Sequence, residues 1–79
     1  MTQTEKLKKA FAEALIIDEA LVTDTLKYQS IPQWDSITHM VLVSSIEEAF
    51  ELSLDTEEII DLSSVAKAKE ILSKKGITF

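Results

Sequence analysis

Asp35, Ser36 and His39 are the side chains best placed by type and spacing to do chemistry together: a carboxylate directly precedes a hydroxyl, and the chain's single histidine follows three residues later. A serine nucleophile needs a base to take its proton and donors for the developing oxyanion. Neither a GxSxG elbow nor a second base accompanies Ser36 and His39, so hydrolysis has little support and no catalytic constellation can be assembled. Metal chemistry fares no better. The acids between Asp55 and Asp61 lack the alternating oxygen ligands and mid-loop glycine of an EF-hand, and a chain with one histidine and no cysteine cannot build a nitrogen- or sulfur-ligated centre.

What remains is a serine where a loop feeds a helix. At a helix mouth the hydroxyl faces solvent, and the free backbone N–H groups with the positive end of the dipole favour a phosphodiester there. Asp35 adds a carboxylate able to hold a divalent cation during phosphoryl transfer. Serine and aspartate at a helix start also serve as plain caps. The residues alone leave modification and capping both open.

Several elements must position this site. Thr2 and Glu5 have capping-box spacing, and Leu7, Ala10, Phe11, Ala14 and Leu15 recur at the period of one helix face. The stretch from Ile16 to Asp35, with β-branched residues, Ser30 and the only proline, Pro32, reads as a long loop containing one helical turn near Asp18 to Val22. A second helix is predicted from Asp35 or Ser36 to about Phe50, burying Leu42, Ile46, Ala49 and Phe50, with Met40 and Val43 widening the stripe and Val41 off it. Asp55, Thr56 and Glu58 cap a short turn carrying Ile59 and Ile60. A last helix follows Ser63 or Ser64, buries Val65, Ala68, Ile71 and Leu72, places Lys74 and Lys75 in its final turn and stops at Gly76. The expected fold is all-α: one domain over residues 1–79, a small four-helix bundle of three longer helices and one short one, with a long first loop.

Composition narrows the partners. The chain of 79 residues carries a net charge of −6, concentrated in its middle: from Asp18 to Asp61 eleven acids face Lys27 alone. Without clustered positive charge, nucleic acid and anionic lipid are not expected partners. Basic protein surfaces are, unless the acidity serves only solubility. No apolar run is long enough for a signal peptide or a membrane span, which leads us to expect a cytoplasmic monomer.

Asp35-Ser36-Ile37, opening a helix that ends Ile46-Glu47-Glu48-Ala49-Phe50, resembles the signature of the acyl carrier proteins, Asp-Ser-Leu opening a helix that ends in Leu-Glu-Glu-x-Phe. Length, acidic middle, long first loop and short third helix extend the resemblance over essentially the whole chain. It implies a non-enzymatic carrier with phosphopantetheine, taken from coenzyme A, attached covalently to Ser36 by a phosphopantetheinyl transferase using Mg²⁺, and Asp35 assisting. It further implies acyl-loading and acyl-processing enzymes with basic docking patches as partners, recognised through Ile37, Glu47 and Glu48. Met40, Val43, Ile46 and Ile59 are then candidates to line an acyl pocket, although apolar residues at this spacing are first of all core. Thr38, His39, Val41 and Ser45 stand where carriers of primary fatty acid synthesis are often acidic, and Trp-Asp-Ser followed by His-Met resembles carriers of dedicated pathways. A specialised carrier is therefore expected over a housekeeping one, with an unmodified helical interaction module as the rival. His39 is expected to be a solvated helix residue and Trp34 a loop anchor.

Overall fold

A computed structural model describes residues 2–79 and is all-helical. The helices run in the order α1 (Gln3–Leu15), α2 (Ser36–Phe50), α3 (Thr56–Asp61) and α4 (Val65–Lys74), with a 3₁₀ turn at Glu19–Leu21 in the first loop. Each helix starts where a side chain accepts from its free N–H groups. Thr2 and Glu5 form the capping box of α1, Asp55 and Glu58 that of α3, and Ser64 caps α4. Lys75, expected in the last turn of α4, is instead its C-cap, with Gly76 beyond it at φ 95°.

The ends of α1 and α2 were not marked by glycine. Ile16 and Glu51 take the left-handed conformation there, at φ 56° and 52°. The N–H of Ile17 reaches back to the Ala12 carbonyl and that of Leu52 to the Glu47 carbonyl, which satisfies carbonyls a helix end would leave bare. Those bonds offset the steric penalty that a non-glycine residue meets in this region.

The core gathers the expected faces: Leu7, Ala10, Phe11, Ala14 and Leu15 from α1, Leu42, Val43, Ile46 and Phe50 from α2, and Val65, Ala68, Ile71 and Leu72 from α4. Ala49 is half-buried, and Met40, expected to widen the α2 stripe, is 53% exposed. The long loop does more than cross the bundle. It sends Val22, Leu26 and Trp34 into the interior, and Phe11 meets the Trp34 ring edge-on with centroids 5.3 Å apart.

Backbone bonds pin this loop to the far side. The N–H of Tyr28 donates to the Ser63 carbonyl at 2.9 Å, and the N–H of Val65 donates to the Leu26 carbonyl at 3.0 Å, so the loop pairs briefly with the link from α3 to α4. No residue of α3 is fully buried. A helix of six residues has little stability of its own, so α3 depends on what holds its ends. The Glu58 carboxylate meets the Lys75 ammonium at 2.9 Å, and Leu54 and Leu62 on either side of α3 are buried.

Candidate functional site

Asp35 is the N-cap of α2 and Ser36 its first residue, which separates the two roles that the sequence left joined. Asp35 Oδ1 accepts from the N–H groups of Ile37 and Thr38, both at 2.9 Å. Thr38 answers by accepting from the Asp35 N–H at 2.9 Å, while its own hydroxyl donates to the Gln33 carbonyl at 2.6 Å. The turn that presents Ser36 is thus fixed by its neighbours. Among the described residues the hydrogen bonds at the Asp35 carboxylate all fall on Oδ1. Foremost the Thr38 N–H, together with that of Ile37 and the Thr38 hydroxyl, holds this carboxyl below its ordinary pKa.

Ser36 is exposed and takes no part in the cap, so its hydroxyl stands at the positive end of a helix of 15 residues. These features fit a phosphodiester on Ser36 Oγ: the side chain is accessible, the helix dipole favours the anion, and Asp35 Oδ2 is left for a cation.

His39 is not the solvated residue expected. Half-buried, it receives a hydrogen bond on Nδ1 from the indole N–H of Trp34 at 3.0 Å, and its Nε2 lies 2.9 Å from the Ile59 carbonyl. An indole nitrogen only donates, so Nδ1 must accept, and Nε2–H must donate to Ile59. The Ile59 carbonyl belongs to the last turn of α3, where no intrahelical partner exists. His39 is therefore a strut between the loop, α2 and α3, with Tyr28 edge-on at 5.4 Å. Both ring nitrogens are occupied, which removes His39 as a base for Ser36.

The other expected site residues divide. Ile37 is 77% exposed beside Ser36, and with Met40 and Val41 it forms an apolar patch at the i, i+3, i+4 spacing of one helix face. Val41, off the buried stripe by periodicity, was the signal for this patch. Glu48 is exposed, but Glu47 is half-buried and its Oε2 accepts from the Leu54 N–H at 2.8 Å, closing the turn toward α3. Val43 and Ile46 are packed in the core. A cleft of about 220 Å³ opens at the junction of the first loop, α2 and α3, lined by Tyr28, His39, Ile59, Ile60, Leu62 and Ser63. Of the four candidate pocket residues only Ile59 lines it.

Among the described residues there is no cluster of acids and histidines able to hold a metal ion, and no helix is long and apolar enough to cross a membrane. No family model matches the chain. It is similar to an acyl carrier protein of Guillardia theta, with 28% identity over 71 residues that cover 90% of this chain and 88% of that relative.

Proposed function

We propose that this protein is a carrier that holds acyl groups as thioesters on a phosphopantetheine arm joined to Ser36. The observation that carries the reading is the exposed Ser36 at the first position of α2, held there by the Asp35 cap. Similarity over nine-tenths of the chain to an acyl carrier protein supports it independently.

In the attachment step the Ser36 hydroxyl attacks the phosphorus of coenzyme A next to the pantetheine. One P–O bond forms to Oγ as the P–O bond to 3′,5′-ADP breaks, and the serine proton passes to a base of the transferase or to water. Asp35 Oδ2, outside the cap's hydrogen bonds, would be the oxygen of this chain able to hold Mg²⁺, which would supply neutralisation of phosphate charge. The arm, once joined, supplies the thiol that bears the acyl group; the protein itself catalyses no step and presents the thioester at high effective concentration to each partner.

Partner recognition falls to the exposed front of α2. Ile37, Met40 and Val41 offer apolar contact, and Glu48 meets a basic rim; Glu47 contributes at most its outer oxygen because Leu54 holds the other. A recognition face this apolar, with Ser45 rather than an acid between Val41 and Glu48, supports service in a specialised pathway with dedicated enzymes.

Incubation with coenzyme A, Mg²⁺ and a broad-specificity phosphopantetheinyl transferase should add one arm, read by intact mass. Ser36→Ala should gain none. Because Asp35 caps the helix, this exposed substitution is worth no more than about 0.5 kcal/mol in stability, so the variant remains a folded control. A Ser36→Ala protein that still gains the arm refutes the assignment.

A further inference from the structure

Resting on the carrier reading, we propose that Trp34, His39 and Ile59 form a clasp that closes the seam between α2 and α3, so that cargo on Ser36 lies in the outer cleft and is confined to short, uncharged acyl groups. A chain leaving Ser36 for the interior meets this seam first, since His39 lies one helical turn from Ser36. Two hydrogen bonds in series hold it shut, the first from Trp34 of the loop to His39 of α2 and the second from His39 across the seam to the Ile59 carbonyl. The second is the one side-chain hydrogen bond between α2 and α3 among the described residues.

Behind the clasp the space is filled. Trp34 is fully buried, with Phe11 edge-on at 5.3 Å, Tyr28 edge-on at 6.1 Å and the His39 ring stacked at 6.2 Å. Val43 and Ile46, which would have to part for an entering chain, are close-packed. Threading a long chain inward would leave the Ile59 carbonyl and the indole N–H unpaired in a partly buried site and displace the largest side chain of the core. A chain of many methylenes gains nothing there until that obstacle is cleared.

The outer cleft sets both size and chemistry. At about 220 Å³ it has room for roughly seven groups the size of a water molecule. Its lining combines aromatic, aliphatic and hydroxyl side chains with an imidazole whose nitrogens are spoken for, and it contains no charged group. An acetyl, butyryl or hydroxybutyryl unit fits these terms. A dicarboxylic unit would bring an unpaired charge, and a decanoyl chain would project into water.

The test uses the full chain loaded from acyl-coenzyme A by the transferase, with acetyl, butyryl, hexanoyl, octanoyl and decanoyl arms verified by intact mass. Butyryl should shift the amide resonances of Tyr28, His39, Ile60 and Ser63 and raise the melting temperature by about 5 °C over the unacylated arm. The gain should level off by hexanoyl, with Val43 and Ile46 amides unmoved at every length. In His39→Ala, or in Trp34→Phe should the first fail to fold, the octanoyl form should instead melt above the butyryl form. A melting temperature of the unsubstituted protein that climbs steadily to decanoyl, with Val43 and Ile46 shifting, overturns the clasp and leaves the carrier assignment standing. The same holds if no length moves the cleft residues. A protein that takes up no arm at all defeats the carrier reading, and this inference with it.

Discussion

The indole N–H of Trp34 donates to Nδ1 of His39 across 3.0 Å, with the two rings only 17° from parallel. The bond fixes the histidine tautomer and so dictates that Nε2–H serves α3. Trp34→Phe keeps an aromatic ring while stranding Nδ1, and it should cost about 1–3 kcal/mol. In a domain of this size each kcal/mol corresponds to roughly 4–8 °C of melting temperature. Thermal denaturation followed by circular dichroism measures it, and an unchanged melting point would mean that water replaces the indole without penalty.

Leu26 tests whether the long loop is structural. It is buried although it lies in no helix, and its carbonyl accepts from Val65. Leu26→Ala should destabilise by about 2–5 kcal/mol, as for a core leucine. That is a large share of the roughly 5–15 kcal/mol available to a typical domain, so chemical denaturation should show a midpoint shifted well to lower denaturant.

Glu47 and Glu48 should respond differently to charge reversal. Glu48→Lys leaves the fold intact and should slow arm attachment through the association rate, an effect that fades as salt is raised. Glu47→Lys removes the acceptor of the Leu54 N–H and should lower the melting temperature as well. Transferase kinetics at two ionic strengths, beside melting curves, separate the two residues.

Acid should loosen the helix starts. The Thr2 N–H and hydroxyl hold the Glu5 carboxyl below its ordinary 4.5, the Thr38 and Ile37 N–H groups hold Asp35 below 3.8, and the Asp55 N–H with Lys75 holds Glu58 below 4.5. A carboxyl with a depressed folded pKa stays ionised while its unfolded counterpart takes up a proton, so stability falls with pH. The contribution is complete above about pH 4.5 and is lost as pH drops through the depressed values. Melting temperatures between pH 7 and pH 2 should decline in that window, with a shallower slope for Asp35→Asn.

The three longer helices were legible because each is written twice in the chain, once in its apolar period and once in its cap, whereas α3 is written in its cap alone. Thr2 with Glu5, Asp35 before Ser36, Asp55 with Glu58 and Ser64 before Val65 are local signals, and local signals survive in sequence. The position of Ser36 at a helix start was legible for the same reason. The loop's share of the core was not, since Val22, Leu26 and Trp34 follow no period and are buried by distant partners. His39 escaped for a related reason: its acceptor, Ile59, lies 20 residues on, and nothing local announces the pairing. Glu47 looked like a surface acid because helical periodicity ignores the backbone of the following turn, where Leu54 waits.

Trp34 is the single tryptophan of the chain. Near-ultraviolet emission of the unlabelled protein therefore arises from one indole, screened from water, with its N–H bound to an imidazole and its ring between Phe11 and Tyr28. Anything that parts α3 from α2 must break the His39–Ile59 bond and so disturb that indole, and water reaching it would move the emission to longer wavelength. Mixing the protein with a binding partner lacking tryptophan in a stopped-flow fluorimeter would then report whether the seam stays closed in the complex, without a dye or a tag.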